Sequence, residues 1–427
     1  MAVEYNRSKI GKGIYLTEIY DKKFKTNCVK FTFLAPLHKE TVCVNALLQY
    51  LLVSSNSQIK SRTEISKKMA GLYGSALSAN YGSVGNYQSM GLGTIFIGDK
   101  YTIGGEKIST EAVKQLMLCL FSPDLPNGKF NEQYFKLRKQ ELIDSIKATV
   151  NDKRTYAQMQ ATKLIYKDEP SSIMSNVTPD AAEKVTQEDL IKQYEVLKKH
   201  AAIEITVCGG GSSDEVIEMI KEEVSKLERA DVYQIDFRSN SPLKQQICEK
   251  EDTMNISQSK MVMAYKSDYD NIYVAKLFSA LLGATPFSKL FSNVREKLSL
   301  CYYCASNYSD RKGTMIIDSG VETQNIEKAK QAIGEQVEAV ANGEFTDDEL
   351  YNTKIYLANA YKLNCDGVFD LAAWYEAQNS RGTSLTPQQV GELIFNITRE
   401  QIIECAKSFH LDTIYVMKAE QEVADDE

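Results

Sequence analysis

The chain has 427 residues, of which 43% are hydrophobic and 25% charged, as in globular proteins of roughly two to four domains. Its net charge of −7 argues against binding to nucleic acid or to an anionic membrane surface. No apolar stretch approaches the roughly 18 residues needed to span a bilayer, and the first residues lack the apolar core of a secretion signal. We therefore expect a cytoplasmic protein.

The first half of the chain predicts strands and helices in alternation. Val29–Phe33 alternates apolar and polar side chains, as a half-buried strand does. Ala46–Val53 is apolar and favours a buried helix, and Leu72–Asn80 favours a second strand. Residues 131–166 favour long helical segments.

The second half predicts the same order of elements. Lys260–Ala264 alternates like a strand, Val274–Leu282 favours an apolar helix, and Leu298–Ser306 favours a further strand. Long helical segments are again predicted, over residues 346–379, and they begin with the capping box that starts at Thr346.

Each half also ends on a similar pattern. Thr186 and Thr398 are N-cap residues with an acid or amide three positions later, and each predicts the start of a helix. These helices lead into the strands Ile203–Cys208 and Thr413–Met417, at an offset of 212 residues, whereas Leu72–Asn80 and Leu298–Ser306 correspond at an offset of 226. Repetition at this length indicates two homologous tandem domains. Their mixture of strands and helices predicts an α+β fold, in which each mixed or antiparallel sheet has helices packed on one face.

The polar composition of residues 230–251 predicts a linker between the two domains, since the segment contains Ser239-Asn-Ser-Pro242 and precedes a strand. The predicted domains are therefore residues 1–229 and 252–427. The acidic residues 420–427 are expected to be solvated.

Several possible sites are not favoured by their sequence context. Only three histidines are present, His38, His200 and His410. No two are close enough in sequence to form a helical pair of metal ligands. The glycine-rich segment 208–214 lacks the Gly-Lys-Ser/Thr ending of a phosphate loop. We expect a tight turn there, with the following helix capped by Ser212 or Ser213.

The nine cysteines are scattered along the chain, which is typical of reduced thiols in a cytoplasmic protein. Cys301 and Cys304 have the spacing of a redox motif but lie in a predicted strand. Residues three apart in a regular strand point to opposite faces. We therefore expect both thiols to serve packing.

The segment Pro286–Tyr302 resembles a stretch of the insulinase/pitrilysin family, the inverted zincins, in which a similar small-Ser-x-Leu-Phe run precedes Leu-Arg-Glu and a Tyr. The resemblance extends from about Gly13 to Lys418 and is greatest to small two-domain bacterial members. It implies that the two domains together form half of a clamshell.

Catalytic members of that family bind zinc through H-x-x-E-H on a helix of the first half, with a further Glu downstream. The corresponding positions here are Ala46, Gln49 and Tyr50, which supply neither an imidazole nor a carboxylate. The downstream Glu falls at Ser145 or Ile146. The resemblance therefore implies no zinc in this chain, and zinc in a partner subunit.

The same resemblance identifies Arg295 and Tyr302 as the pair that contacts the carbonyl of the scissile peptide bond. A guanidinium and a phenol both donate hydrogen bonds, and such donors stabilise the oxygen as it gains negative charge. The alternative for these positions is a solvated arginine and a tyrosine of the core.

The strand that contains Leu77, Ser78, Ala79 and Asn80 corresponds to the edge that pairs with substrate in the family. A sheet edge binds an extended peptide through main-chain hydrogen bonds. The alternative is an ordinary strand of the sheet.

Two functions follow from the resemblance. The first is a non-catalytic subunit of a heterodimeric zinc metallopeptidase, inert alone, which supplies Arg295 and Tyr302 in trans for the cleavage of small peptides. The second is a peptide-binding scaffold, as a monomer or a homodimer, without a proteolytic role. Neither involves nucleic acid or a membrane.

Overall fold

The computed structural model describes residues 3–211 and 214–420. Its strands are β1 (Glu4–Gly11), β2 (Ile14–Tyr20), β3 (Thr26–Pro36), β4 (Ala76–Val84), β5 (Tyr87–Ile97), β6 (Ala202–Gly209), β7 (Cys248–Met254), β8 (Ser259–Lys266), β9 (Cys301–Ser309), β10 (Thr314–Val321) and β11 (His410–Ala419). Its helices are α1 (Val42–Leu52), α2 (Arg62–Gly71), α3 (Ser109–Phe121), α4 (Glu132–Ala148), α5 (Lys153–Ile165), α6 (Pro179–Glu183), α7 (Gln187–His200), α8 (Asp214–Ser225), α9 (Ile272–Ser279), α10 (Ile326–Ala341), α11 (Asp347–Leu363), α12 (Val368–Asn379), α13 (Pro387–Phe395) and α14 (Arg399–Ser408).

These elements form two units, and each unit contains a segment from the other half of the sequence. The first unit comprises the described residues up to Lys147, with Asn176–Phe237 and Asn364–Ser384. The second comprises Ala148–Ser175, Arg238–Leu363 and the described residues from Leu385 onward. The contiguous domains predicted from the sequence, 1–229 and 252–427, do not describe this exchange.

The second sheet repeats the strand order of the first, except that no described strand of the second sheet corresponds to β1. The first sheet is ordered β1-β2-β6-β3-β5-β4, and the second β7-β11-β8-β10-β9. Both are mixed, because β2 runs parallel to β6 and β7 parallel to β11, while the other neighbours are antiparallel. The predicted α+β fold with a repeated sheet is confirmed.

The exchanged helix of the first unit is α12. Its residues Leu371 and Tyr375 pack on Ile19, Cys28 and Cys208 of the sheet. Side chains alternate between the two faces of a strand, so Lys30 shares the face of Cys28, and its Nζ lies 2.8 Å from Glu376 Oε2 of α12. The helices of the first half pack on the opposite face, where Phe31 contacts Phe121 of α3.

The exchanged helix of the second unit is α5, which packs through Ala157, Ala161 and Ile165 on strand residues Val262, Ala264, Tyr415 and Met417. On the opposite face, the ring of Tyr308 in β9 contacts Phe409, which also contacts Phe278 of α9. The prediction of helices on one face was therefore incomplete, because each sheet has its exchanged helix on the other face.

The exchange begins where each predicted long helical segment is interrupted. In the first half the Asp152 side chain accepts hydrogen bonds from the backbone N–H groups of Arg154 and Thr155 and so starts a new helix. In the second half Gly367 precedes the start of α12. The capping boxes at Thr186 and Thr398 are confirmed.

The remaining segment predictions have different outcomes. Strand β7 begins at Cys248, inside the predicted linker. Residues 72–75, predicted as the start of a strand, instead precede β4. The cap at Ser212 or Ser213 lies outside the described residues, as does the acidic tail after Glu420.

Candidate functional site

The positions of the zinc motif lie on α1, and two of them belong to the core. Ala46 is 3% exposed and Gln49 is 2% exposed. Tyr50 is half-buried, and its ring lies edge-on to that of Tyr81, with 6.1 Å between the centroids. These methyl, amide and phenol groups do not provide the imidazole and carboxylate ligands of a family-type zinc site.

The downstream position of the zinc motif also lacks a carboxylate. Ser145 and Ile146 both lie in the last turn of α4. Among the described residues, no group of three or more His, Cys, Asp or Glu side chains is placed to hold a metal ion.

Buried amides surround the altered motif. Asn45 Nδ2 donates to Gln88 Oε1 at 2.8 Å, and Gln88 Nε2 donates to the Val42 carbonyl at 3.1 Å. In the described part of the chain, Asn45 Oδ1 and Gln49 Oε1 accept no hydrogen bond. The helix that carries the motif is thus a packing element with polar groups inside the core.

Arg295 and Tyr302 are at the surface of the second unit. Arg295 lies on the π-helical segment Leu290–Lys297, with its guanidinium 4.6 Å from the centre of the Phe291 ring. Its side chain is 40% exposed, and its Nε lies 3.7 Å from Glu296 Oε1. A π-helix is rare and frequently accompanies a functional site.

Tyr302 is 61% exposed, so the alternative of a core tyrosine is wrong. Its hydroxyl donates to Glu322 Oε1 at 3.3 Å, a contact that the sequence did not predict. This distance is long for a bond between two oxygens. The phenol can therefore exchange that partner for another acceptor at small cost.

The pair occurs in the second copy of the repeat only. At the offset of 226 residues, Met69 corresponds to Arg295 and Ala76 to Tyr302. Met69 is 2% exposed and packs in the core. The two copies nevertheless share a backbone feature before their edge strands, because Tyr73 has a φ of 55° and Ser299 a φ of 51°.

Leu77, Ser78, Ala79 and Asn80 lie on β4, which is an edge strand. Its neighbour in the sheet is β5, and no described strand pairs with its other side. Ser78 and Asn80 are exposed, whereas Leu77 and Ala79 are half-buried. The main-chain groups on the outer side can pair with an extended peptide.

The two cysteines of the C-x-x-C spacing do not point to opposite faces. In the pairing of β9 with β10, Cys301 is opposite Val321 and Tyr303 is opposite Gly320, so Tyr302 is an extra residue in a β-bulge. The prediction assumed a regular strand and was wrong for this reason. Cys301 and Cys304 are both buried on the same face.

The comparisons with known proteins agree with this fold. Residues 184–357 match the family model described as "Peptidase M16 inactive domain", a range that includes Arg295 and Tyr302 but not the altered motif on α1. A Bacillus subtilis (strain 168) protein named "Probable inactive metalloprotease YmfF" is 28% identical over 96% of this chain and 97% of its own length.

Solved structures share the arrangement over nearly the whole chain. A conserved protein from Enterococcus faecalis V583 is 25% identical, with a TM-score of 0.90 over 98% of this chain and 99% of that one. A peptidase M16 inactive domain from Pseudomonas fluorescens has a TM-score of 0.78 at 15% identity, over 99% of each chain.

The fold and the altered motif define a protein of the metallopeptidase type in which the positions of the zinc motif carry no zinc ligands. The chain has an M16-like fold and is similar to the inactive-domain type of the M16 (insulinase) peptidase family. Within the described residues, no helix is long and apolar enough to cross a membrane.

Proposed function

We propose that the chain is the non-catalytic subunit of a heterodimeric zinc metallopeptidase that cleaves small peptides. The observation that supports this function is the exposure of Arg295 and Tyr302, at 40% for the arginine side chain and 61% for the tyrosine. Neither residue is committed to the core of its unit. Both are donors of the kind that binds a carbonyl oxygen.

In this proposal the two side chains act on a substrate held by a zinc-bearing partner subunit. The Tyr302 hydroxyl leaves Glu322 and donates a hydrogen bond to the carbonyl oxygen of the peptide. Arg295 directs its guanidinium N–H groups to the same oxygen as negative charge develops there. The isolated chain is inert, because Gln49 is a neutral amide and cannot accept the proton of an attacking water. The cytoplasm is the location that suits nine unpaired cysteines.

The test combines the purified chain with a zinc-bearing M16 subunit from the same organism and follows cleavage of an internally quenched peptide. Arg295→Ala and Tyr302→Phe should each lower kcat of the mixture about a hundred- to a thousandfold. Arg62→Ala and Tyr351→Phe, at exposed positions, are matched controls that should leave kcat unchanged. Normal rates for both site variants, or hydrolysis by the chain alone, would refute the proposal.

The second candidate function is a peptide-binding scaffold, and the open edge of β4 favours it. It predicts tight binding of an extended peptide by the isolated chain, measured by calorimetry. Successive backbone N–H groups of β4 point alternately toward β5 and away from it. Proline at one of the adjacent positions Ser78 and Ala79 should therefore abolish binding without lowering Tm, while proline at the other should lower Tm.

A native mass measurement of the isolated chain tests for a homodimer.

A further inference from the structure

A β-bulge brings the thiols of Cys301 and Cys304 to one face of β9. Cys301 is opposite Val321, and Cys304 is opposite Ser319. Val321 and Ser319 are two apart on the regular strand β10, so they share a face, and their partners on β9 share it too. Tyr302 is the extra residue between the two cysteines.

The bulge makes the two cysteines equivalent to residues two apart in a strand. At about 3.3 Å per residue, such positions have their Cα atoms about 6.6 Å apart, at the upper end of the range of about 4.4–6.8 Å that disulfides span. The two thiols are in hydrogen-bond contact with each other, so a bridge needs only a shift of the two Cβ atoms toward the disulfide spacing of about 3.5–4.5 Å. Without the bulge the separation would be about 10 Å and no bridge could form. A bridge near the upper limit is also readily reduced again.

The two thiols are similarly buried but differ in acidity. Cys301 is 8% exposed and Cys304 is 6% exposed, and Cys301 lies at the start of β9, next to the exposed Tyr302. A hydrogen bond from Cys304, together with the positive charge of Arg295, lowers the pKa of the Cys301 thiol, although burial opposes the shift. The pKa of Cys304 is raised well above its usual value, first by the bond with Cys301 and then by burial. Cys301 is therefore the better nucleophile.

We propose that Cys301 and Cys304 form a reversible intrachain disulfide by exchange with a low-molecular-weight disulfide of the glutathione type. The Cys301 thiolate attacks one sulfur of the small disulfide, forms a mixed disulfide and releases one small thiolate. Cys304 then loses its proton and attacks Cys301 Sγ, which releases the second small thiolate. Two protein thiols are oxidised, one small disulfide is reduced to two thiols, and the two protons pass to the released thiolates.

A second cysteine pair in the chain provides an internal control. Cys28 and Cys208 are directly opposite each other on β3 and β6, and both are 0% exposed. They lie in the core beneath α12. Because a small disulfide cannot reach them in the folded protein, we expect this pair to remain reduced under conditions that oxidise Cys301 and Cys304.

The experiment exposes the native full-length protein to buffers of increasing oxidised-to-reduced glutathione ratio, followed by alkylation in denaturant, trypsin digestion and mass spectrometry. Both cysteines fall in one tryptic peptide, Leu298–Arg311. That peptide should become lighter by two hydrogen atoms and resist alkylation, and reductant should reverse the change. The peptides that contain Cys28 and Cys208 should be alkylated throughout.

Single variants test the order of the two steps. Cys304→Ser should accumulate glutathione on Cys301, because the resolving thiol is missing. Cys301→Ser should leave Cys304 unmodified, or modified at least about tenfold more slowly. Full alkylation of Leu298–Arg311 from the native protein in the most oxidising buffer would overturn the proposal, as would equal modification of Cys304 in Cys301→Ser. This test does not depend on the proposed peptidase function.

Discussion

At the residue scale, two buried amides near the altered zinc motif differ in their hydrogen bonds. Gln88 is 0% exposed and uses both its amide nitrogen and its amide oxygen, whereas Gln49 is 2% exposed and its oxygen accepts no bond from the described residues. A buried acceptor without a partner costs about 1–3 kcal/mol. Gln49 occupies the position of the general base in catalytic relatives, and replacing its unpaired amide should therefore stabilise the fold.

We predict opposite effects for the same substitution at these two positions. Gln49→Met should raise the free energy of unfolding by about 1 kcal/mol, because it removes an unpaired acceptor, while Gln88→Met should lower it by about 1–3 kcal/mol. Urea denaturation followed by circular dichroism measures both. If Gln49→Met destabilises the protein as much as Gln88→Met does, the Gln49 oxygen is not unpaired.

A second residue-scale feature is the carboxylate of Asp412, which is 1% exposed and lies between two lysines. Lys244 forms an ion pair and hydrogen bonds with it, and Lys266 Nζ lies 3.2 Å from Asp412 Oδ1. Burial acts to raise the pKa of this carboxyl, but the hydrogen bonds from Lys244 and Thr413 and the charge of Lys266 outweigh it and lower the pKa. Both lysines also donate to the carbonyl of Ile165, the last residue of α5.

We predict that Asp412→Asn lowers the free energy of unfolding at pH 7 by about 3–5 kcal/mol, because it leaves a buried cation unpaired. Since the pKa of Asp412 is depressed in the folded state, its contribution is complete above the unfolded value of about 3.9 and is lost as pH falls through the folded pKa. The difference in the free energy of unfolding between wild type and variant should therefore be constant from pH 7 to about 5 and should decrease below about pH 4, as measured by urea denaturation at several pH values.

The matched control for Asp412→Asn is Glu188→Gln, because Glu188 pairs with Lys129 at the surface, where both side chains are more than half exposed. Exposed ion pairs contribute little to stability, so this variant should unfold like the wild type. A constant difference between wild type and Asp412→Asn down to pH 2 would show that Asp412 is not the group that titrates.

At the element scale, each exchanged helix is attached to its sheet by both apolar and polar contacts. Helix α5 has an ion pair with the sheet, since Arg154 Nε lies 2.6 Å from Asp318 Oδ2 of β10. Helix α12 has the ion pair of Glu376 with Lys30, and its Tyr375 is 1% exposed and stacks on Tyr5 of β1 at 4.9 Å between centroids.

We predict that Tyr375→Ala lowers the free energy of unfolding by about 3–5 kcal/mol, as removal of a large buried side chain does. The only tryptophan of the chain, Trp374, is the neighbouring residue on α12, so its fluorescence reports directly on this helix during urea denaturation. Tyr351→Ala, at a tyrosine that is 57% exposed on α11, is the control. Equal fluorescence midpoints for the two variants would contradict the packing of α12 on the first sheet.

The elements that the sequence predicted correctly have local causes. The capping boxes at Thr186 and Thr398 are complete within four residues, and the alternation of Val29–Phe33 lies within β3. The bulge at Tyr302 arises from the register between β9 and β10. The register depends on the partner strand, which the sequence of β9 alone does not show. Simple alternation along β9 therefore placed Cys301 and Cys304 on opposite faces.

The same distinction applies to the candidate site. The motif positions on α1 and the pair Arg295 and Tyr302 were found from the sequence alone, because a family resemblance is recognised by the spacing of residues along the chain. The hydrogen bond between Tyr302 and Glu322 joins residues 20 apart in the sequence, and the unpaired oxygen of Gln49 depends on the packing around it. Neither has a local signal in the sequence.

At the scale of the whole molecule, the exchange of α5 and α12 determines what a complete folding unit is. If the chain is divided between Phe237 and Arg238, all strands of each sheet stay together in one fragment. Each sheet is nevertheless separated from its exchanged helix. Fragment 1–237 lacks α12 and leaves the apolar face of Ile19, Cys28 and Cys208 uncovered. Fragment 238–427 lacks α5 in the same way. A sheet with an uncovered apolar face loses the burial that stabilises it.

We therefore predict that neither fragment unfolds cooperatively alone and that each binds the dye ANS, which reports exposed apolar surface. Thermal unfolding followed by circular dichroism and ANS fluorescence measures both properties. Addition of a peptide of residues 364–384 to fragment 1–237 should reduce ANS binding and restore a cooperative transition, whereas the same peptide with Leu371→Asp and Tyr375→Asp should not. Cooperative unfolding of fragment 1–237 without the peptide would show that α12 is dispensable, and the contiguous division of the chain would then describe its folding units.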